Sequence, residues 1–161
     1  MAAGVSFDIW NTLLNLQSFY RAIAEALAEN IHRDPDKLYR SILDAYRDAL
    51  RLRLEGEFKR IILDSAEFFA SRLEVSVEEL LRAVVEAVDS VDASTLIYDD
   101  VIDALKNIKA MGVKMAVIGN VMFWPGMITR LLLKRSGILE YFDVTVFSDE
   151  VGYTKPSREI F

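Results

Sequence analysis

Two charged residues that lie far apart in the sequence could together perform chemistry: Asp8 and Lys155. Asp8 directly follows a short apolar run, residues 5–7, and a polar turn comes after it. A carboxylate in this setting can act as a nucleophile or as a metal ligand. The plainer interpretation is an acid that caps the next helix. Lys155 stands before Pro156 at a matching position after a later apolar run, and this favours the functional interpretation.

Three short apolar runs predict the strands that must position these residues. Residues 5–7 are predicted to form a buried parallel strand, because they are apolar on both faces and too few for a helix. Residues 113–118 and 144–147 predict two more strands, with helical patterns between them. In open α/β sheets ligands bind beyond the carboxyl ends of the strands, and Asp8 lies at such an end. The sequence therefore predicts an α/β fold with a parallel sheet and right-handed crossovers.

Four successive helical patterns separate the first predicted strand from the second. One of them opens with Ser76 and Glu79, which form a capping-box pattern. Four helices with short joints predict a small bundle that is inserted after the first strand. The predicted domains are therefore an α/β core, residues 1–14 and 95–161, and a helical cap, residues 15–94.

Local signals also predict where several elements begin and end. Asp34 before Pro35 marks the start of the second helix. Asp99 and Asp100 are expected to cap a later helix. Residues 148–154 are expected to form a loop, after which Lys155 and Pro156 open a final helix.

Composition limits the classes of protein to consider. The chain has 161 residues, 52% hydrophobic and 27% charged, as expected for one globular domain or one domain with an insertion. The net charge of −6 gives no footprint for nucleic acid or an anionic membrane. The absence of cysteine excludes disulfides, thiolate metal sites and cysteine nucleophiles. With no signal-peptide pattern and no long apolar run, a cytoplasmic location without membrane contact is expected.

Three motifs in order resemble the haloacid dehalogenase (HAD) superfamily of hydrolases. They are residues 7–13, residues 117–120 at the end of the second strand, and residues 152–161. Residues 137–143 also resemble the family's approach to its third strand. The resemblance implies a HAD-like, Rossmann-like parallel sheet core with an inserted four-helix-bundle cap.

The resemblance also implies roles for individual residues. Asp8 matches the nucleophile that forms a covalent aspartyl intermediate, and Lys155 matches the lysine that keeps this carboxylate charged and helps to neutralise an anionic substrate. Thr12 matches a hydroxyl that steadies the loop, or it caps the next helix. Asn120 matches a polar residue that donates a hydrogen bond to an oxyanion, or it closes a turn. In the phosphatase branch, Asp8 and the backbone carbonyl of Trp10 would bind Mg²⁺.

Three positions depart from the family pattern, and a fourth, Arg40, matches the dehalogenase branch alone. Trp10 stands where phosphatases carry the acid that protonates a departing alkoxide; dehalogenases lack that acid, because halide leaves without a proton. Arg40 lies about where dehalogenases hold the substrate carboxylate, although a solvated helix arginine is the alternative. Phe161 replaces the dehalogenase tyrosine, and Gly119 replaces a serine or threonine of both branches. The candidate substrate-binding positions are Arg40, Trp10 and Gly119. The chain lacks part of the usual residue set both of the phosphatases and of the dehalogenases in the family that it resembles.

The family's fourth motif and its last strands would lie beyond Phe161. In phosphatases that motif supplies the acids that complete the Mg²⁺ site. Without the last strands, residues 5–7 would form an exposed apolar edge. We therefore expect either that the protein is longer than this sequence or that two copies associate through this edge as a homodimer.

Aromatic and basic residues elsewhere have structural interpretations. Phe123 and Trp124 either line a substrate pocket or pack at the start of a helix. Arg51 and Arg53 are expected at a solvated helix end. The single histidine, His32, is expected at the end of a helix.

The leading functional hypothesis is hydrolysis of a small anionic substrate through a covalent intermediate on Asp8. A phosphate monoester is the favoured substrate, because phosphatases are the larger class in the family that the chain resembles. One alternative is metal-independent 2-haloacid dehalogenation, with Arg40 on the carboxylate. The other is a catalytically weak binding or assembly module, motivated by Trp10, Gly119 and the missing acids.

Overall fold

The computed structural model describes residues 4–161, which form an α/β protein as the sequence predicts. The chain divides into two units, and each is described separately. The α/β unit comprises residues 4–16, Asp92–Val121 and Gly126–Phe161. The helical unit comprises Gln17–Val91 and Met122–Pro125.

The α/β unit is built on a parallel sheet of three strands within the described residues. The strands are β1 (Gly4–Phe7), β2 (Lys114–Gly119) and β3 (Val144–Phe147), in the order β1-β2-β3. Phe7 is paired with Val117, and Val117 with Thr145, so that the carboxyl ends of all three strands meet at the same edge. This is the edge at which the sequence predicts the site.

The prediction that the first strand is buried is wrong. Val5 and Phe7 are half-buried and Ser6 is exposed, because within residues 4–161 β1 pairs with β2 alone. The central strand β2 has the buried pattern instead, with Met115 and Val117 inside. The outer side of β1 is therefore the open edge that the sequence predicts when further strands are absent.

Four helices form most of the helical unit. They are α1 (Leu16–Ile31), α2 (Pro35–Leu54), α3 (Ile61–Leu73) and α4 (Val77–Ser90). The predicted start of α2 is confirmed, since the Asp34 side chain accepts the Lys37 N–H. The predicted capping box of α4 is confirmed as well, with Ser76 and Glu79 bonded reciprocally.

A short segment from outside the bundle completes the core of the helical unit. Phe123 and Trp124 are fully buried there, and the Phe123 ring lies 4.3 Å from that of Phe69, centroid to centroid. The Trp124 ring meets Phe19 edge-on at 5.2 Å. The Ser65 hydroxyl donates to the Met122 carbonyl at 2.6 Å and fixes the segment. Phe123 and Trp124 therefore serve as core, which was one of their two interpretations.

The helices of the α/β unit differ in detail from those predicted. They are α5 (Val101–Ala110), α6 (Gly126–Arg135) and α7 (Ser148–Val151). Asp100 precedes α5 but makes no side-chain capping bond, because its backbone is already in the helical region. The segment expected to be a loop contains α7, and the expected last helix is a single 3₁₀ turn, Arg158–Ile160. Among the described residues no helix is both long and apolar enough to span a bilayer.

Candidate active site

Asp8 directly follows β1, and a tight turn fixes it at the carboxyl edge of the sheet. The Ile9 carbonyl accepts three backbone N–H groups, from Thr12, Leu13 and Leu14, at 3.2, 2.8 and 2.9 Å. Asn11 takes the left-handed conformation, φ 63°, which asparagine tolerates better than most residues. Ile9 is fully buried, whereas the Asp8 side chain is 46% exposed. The turn thus anchors the backbone and leaves the carboxylate accessible.

Lys155 reaches Asp8 from the far end of the sequence. Its Nζ donates to Asp8 Oδ1 at 2.6 Å and to the backbone carbonyl of Ile118 at 2.7 Å. The lysine side chain is 22% exposed. An ammonium group carries three N–H donors, and these two bonds account for two of them. The structure therefore brings together Asp8 and Lys155, the two charged residues that the sequence singles out. A backbone carbonyl of β2, that of Ile118, orients the ammonium group.

Asn120 holds Lys155 through the backbone. Its side-chain Nδ2 donates to the Lys155 carbonyl at 3.1 Å, and its Oδ1 accepts the Lys155 N–H at 2.8 Å. Both ends of the Asn120 amide group thus bind the backbone of one residue, across the gap between the end of β2 and the loop after α7. In this structure Asn120 therefore positions the lysine, which neither of its predicted roles included.

The segments around Lys155 are themselves fixed to the sheet. Arg130 donates two hydrogen bonds to Glu150 in α7, at 2.8 and 2.9 Å, and a third to the Thr145 hydroxyl at 3.0 Å. The hydrogen bonds to Glu150 raise the pKa of Arg130. The Ser148 hydroxyl accepts the Val121 N–H at 3.0 Å, which ties α7 to the segment after β2. Lys155 therefore follows a short helix, α7, that hydrogen bonds hold both to α6 and to the segment after β2.

The remaining predicted residues lie in different surroundings. Thr12 is exposed in the turn after Asp8, and Trp10 is half-buried, with a backbone bridge to Leu14. Arg40 lies on the exposed surface of α2, in the helical unit. The structure thus places Thr12 and Trp10 in the same turn as Asp8, whereas it assigns Arg40 to the other unit.

Gly119 is the last residue of β2 and has no room for a side chain. A Cβ atom there would lie 2.8 Å from Ile9 Cδ1 and 3.2 Å from the ring of Phe147. Contacts this short require neighbouring atoms to shift, so the serine or threonine of the resembled family would not fit unchanged. The absence of a side chain at Gly119 therefore allows Ile9 and Phe147 to pack closely against the backbone.

Two oxygen donors near the sheet edge were predicted to hold Mg²⁺, the Asp8 carboxylate and the Trp10 carbonyl. Mg²⁺ requires near-octahedral coordination by oxygen. Within residues 4–161 no group of three or more histidine, cysteine or acidic side chains is placed to bind a metal. One Asp8 oxygen is also engaged by Lys155. The described residues therefore do not form a magnesium site by themselves.

Comparisons with known proteins concern the family and the fold of the chain. A family model for haloacid dehalogenase-like hydrolases matches residues 2–161. A search of curated proteins gives no significant match. Solved structures with similar folds include the magnesium-bound protein assigned as HAD-hydrolase YfnB from Bacillus subtilis, at 16% identity and TM-score 0.75 over 99% of this chain and 69% of that one.

Two other structures represent different chemistries. A HAD phosphatase from Thermococcus onnurineus is 25% identical, with TM-score 0.55 over 100% of this chain and 68% of that one. L-2-haloacid dehalogenase from Xanthobacter autotrophicus, with chloropropionic acid covalently bound, is 16% identical, with TM-score 0.67 over 99% of this chain and 62% of that one.

The backbone carbonyl of Ile118 and the clamp of Asn120 on Lys155 were not predicted. A carbonyl leaves no signal in a sequence, and the clamp depends on a contact between residues 35 positions apart. The motifs, the parallel sheet and the family match over nearly the whole chain nevertheless lead to one conclusion. The chain belongs to the family of haloacid dehalogenase-like hydrolases.

Proposed function

We propose that this chain is a hydrolase in which Asp8 forms a covalent bond to a small anionic substrate, and that the substrate is a phosphate monoester. The observation that carries the proposal is the 2.6 Å contact between Lys155 Nζ and Asp8 Oδ1. An ammonium at this distance orients the carboxylate through a charge-assisted hydrogen bond. It also offsets the negative charge that an anionic substrate would bring to Asp8.

The reaction would proceed in two displacements. In the first, an Asp8 carboxylate oxygen forms a bond to phosphorus, and the bond from phosphorus to the ester oxygen breaks and leaves its electron pair on that oxygen. In the second, the oxygen of a water molecule forms a bond to the phosphorus of the aspartyl phosphate and the bond from phosphorus to the Asp8 oxygen breaks. This step releases inorganic phosphate, restores the Asp8 carboxylate and passes one proton of the water to the solvent, where it balances the alkoxide of the first step. Lys155 balances charge on the carboxylate side of both steps.

Trp10 limits which esters this arrangement would cleave well. A departing alkoxide needs a proton, and the indole N–H is too weak an acid to supply one. Esters whose leaving group is a weak base, such as aryl phosphates, avoid this requirement. We therefore expect aryl phosphates to be cleaved faster than alkyl phosphates.

The support for a phosphate substrate comes from similarity. The Thermococcus onnurineus structure, which is 25% identical, is a HAD phosphatase, and the YfnB structure is bound to magnesium. The described residues of this chain form no magnesium site by themselves. The dependence of turnover on Mg²⁺ is therefore measured in the test and is not assumed.

Dehalogenation of a 2-haloacid is the second candidate, and Trp10 is the observation that favours it. In that reaction Asp8 would attack carbon, and halide would leave with the bonding electron pair and need no proton. The Xanthobacter autotrophicus enzyme has a similar fold and is a haloacid dehalogenase. Arg40, exposed on α2, is the residue that would bind the substrate carboxylate in this case.

The test is turnover of the purified full chain on p-nitrophenyl phosphate, alkyl phosphates and 2-chloropropionate, each with added Mg²⁺ or with EDTA. Asp8→Asn keeps the shape of the side chain and removes the nucleophile, so activity should fall about 10³-fold or more. Asp103→Asn, on the exposed surface of α5, is the matched control and should change nothing.

Each outcome has a distinct meaning. Phosphate release that requires Mg²⁺ and is lost in Asp8→Asn supports the proposal. Chloride release in EDTA supports dehalogenation instead. Activity that survives in Asp8→Asn contradicts both reactions, and no turnover of any compound favours the third hypothesis, a binding or assembly module.

A further inference from the structure

Residues 122–125 interrupt the α/β unit just after the residue that holds Lys155. They belong to the helical unit, whereas Val121 before them and Gly126 after them belong to the α/β unit. Asn120, whose amide group binds the backbone of Lys155, therefore has one further residue of its own unit after it. Its position depends on how the chain is held at the point where it leaves the unit.

Two adjacent residues of α7 hold the two ends of this interruption. The Ser148 hydroxyl accepts the Val121 N–H at 3.0 Å. Asp149 Oδ2 accepts the Gly126 N–H at 3.0 Å. Ser148 is fully buried, and Gly126 has no room for a side chain, because a Cβ atom there would lie 2.4 Å from that of Phe147. The start of α6 thus packs directly against the residue before Ser148, and this close approach brings the Gly126 N–H within reach of Asp149.

The chain from Ser148 to Lys155, which we call the Lys155 loop, is closed at both ends. Val121 binds its first residue, and the neighbouring Asn120 binds its last. Between them α7 ends, and Gly152 turns the chain in the left-handed conformation, φ 78°, which glycine adopts without strain. Because two adjacent residues close the loop, a loss of either closure should free the backbone that carries the ammonium group.

We propose that Ser148 and Asp149 are positioning residues for Lys155, which keep its ammonium group against the Asp8 carboxylate. Ser148 closes the start of the Lys155 loop. Asp149 adds a second attachment, so that α7 cannot turn about the Ser148 bond alone. The proposal rests on the proposed function, since it assumes that Lys155 serves a reaction at Asp8. The position of the ammonium group can nevertheless be measured without turnover.

The first experiment measures the reactivity of the Lys155 amine. The full chain is treated briefly with the N-hydroxysuccinimide ester of acetic acid, and mass spectrometry gives the acetylation rate of each lysine. Lys155 is 22% exposed and makes two hydrogen bonds, so it should react slowly in the wild type. Ser148→Ala removes the hydroxyl acceptor and should raise the rate about threefold or more, because local opening exposes the amine. Lys114, which is 75% exposed at the other end of β2, is the internal reference and should keep its rate.

The matched control for Ser148→Ala is Ser157→Ala. Ser157 also lies close to Lys155 in the sequence, but its hydroxyl donates to Glu159 and does not close the Lys155 loop. Its loss should leave the acetylation of Lys155 unchanged. Equal acceleration in the two variants would show that any lost hydroxyl near the loop has this effect, and it would overturn the proposal.

A pair of variants at Asp149 gives an independent measurement, and it decides the question if Ser148→Ala does not fold. Asp149→Leu removes the acceptor of the Gly126 N–H and should raise the acetylation rate of Lys155 about twofold or more. Asp149→Asn keeps an oxygen for that N–H and should react as the wild type does. The other oxygen, Oδ1, has no hydrogen-bond partner in the part of the chain that the structure describes, so its replacement breaks no bond. An effect of Ser148→Ala alone would overturn the role of Asp149.

Turnover of the best substrate then shows whether Ser148 acts through Lys155. Ser148→Ala should lower kcat about fivefold to tenfold in the wild-type background, because a displaced ammonium group meets the substrate poorly. In the Lys155→Met background it should change kcat by less than about twofold, since no ammonium group is left to position. A merely structural role would lower kcat equally in both backgrounds.

The two readouts separate this proposal from the proposed function. If no compound is turned over, the proposed function fails, but the acetylation rates still decide whether Ser148 and Asp149 position Lys155. Unchanged acetylation of Lys155 in both Ser148→Ala and Asp149→Leu would overturn the positioning role, even in an active enzyme. Equal losses of kcat with and without Lys155 would overturn it as well.

Discussion

Each of the two units contains a positively charged side chain in contact with a polar group, but the surroundings of the two side chains differ. Lys155 in the α/β unit contacts a carboxylate and a carbonyl, at 2.6 and 2.7 Å, at the edge of the sheet. Arg53 in the helical unit lies 3.0 Å from the sulfur of Met122, and burial lowers its pKa. The first cation contacts a carboxylate that can react, whereas the second contacts an uncharged sulfur. The comparison therefore separates a cation beside a candidate nucleophile from a cation that is packed against the core of a helical bundle.

The two cations also depend on different parts of the chain. Asp8 is placed by a strand and Lys155 by backbone hydrogen bonds with Asn120, so this geometry follows from the sheet. The contact of Arg53 depends instead on the packing of Met122, which lies 69 residues further along the chain. A geometry held by backbone hydrogen bonds tolerates changes in its surroundings better than one held by packed side chains, and substitutions should reveal this difference.

Lys155→Met should produce the largest change in activity. Loss of the ammonium removes both the partner of Asp8 and the charge that meets an anionic substrate, and turnover should fall about 10²- to 10³-fold. Stability should fall by about 1–2 kcal/mol, because an ion pair open to solvent contributes little but the Ile118 carbonyl also loses a hydrogen-bond donor. Kinetics and urea unfolding of the same preparations measure both effects. Lys134→Met, on the surface of α6, is the control, and equal activity in all three proteins would contradict the role of Lys155.

Trp10→Asp should change the choice of leaving group. A carboxylic acid at this position can protonate a departing alkoxide, so turnover of alkyl phosphates should rise about 10²-fold while that of aryl phosphates changes little. Trp10→Phe, which adds no acid, should leave the ratio as it is. Rates for a series of esters with leaving groups of different basicity measure the effect. A wild-type protein that cleaves alkyl and aryl esters equally fast would show that another group supplies the proton.

The α/β unit was more predictable than the helical unit, for a physical reason. Asp8 and Asn120 directly follow β1 and β2, and parallel strands bring their carboxyl ends to one edge whatever the intervening sequence. Lys155 comes eight residues after β3, beyond α7, and only its family-like motif pointed to the site. The buried environment of Arg53 was not predictable, because it requires Met122 to pack against helices that are far away in the sequence. The burial of β1 was also predicted wrongly, since an apolar strand has the same local pattern at the centre of a sheet as at its edge.

Helix starts were predictable only where a side chain makes the capping bond. Asp34 and Ser76 cap as their patterns indicate, whereas Asp100 does not. The spacing of residue types is the same kind of signal in each case, but the backbone conformation decides whether the side chain can reach the N–H groups. The short helix α7 carried no pattern of its own, because its position is set by bonds such as that between Arg130 and Glu150.

Gly119→Ala should destabilise the α/β unit without removing any polar contact. The added Cβ would lie 2.8 Å from Ile9 Cδ1, and overpacking of this kind costs about 1–3 kcal/mol. Combination with Ile9→Val should recover part of the loss. Gly4→Ala is the control, because its Cβ would meet the Lys114 carbonyl at an ordinary 3.5 Å. Urea unfolding of the wild type and the three variants measures these differences, and a fully stable Gly119→Ala protein would show that the sheet edge adapts.

Glu79→Gln should have the smallest effect, and it should be confined to the helical unit and depend on pH. Hydrogen bonds from the Ser76 N–H and hydroxyl, at 2.7 and 2.8 Å, lower the pKa of Glu79. Because the pKa is lower in the folded protein, this stabilisation is complete above the usual glutamate value of about 4.3 and is lost as the pH falls through the folded-state value.

The melting-temperature difference between the wild type and Glu79→Gln should therefore be largest near neutral pH and shrink in acid. Glu78→Gln, at a neighbouring position that is 82% exposed, should show no comparable trend. Hydrogen exchange locates the change, because a lost cap frees the first amides of α4 while those of β2 keep their protection. A pH-independent difference would mean that glutamine restores the hydrogen bonds of the carboxylate, and that shape rather than charge caps this helix.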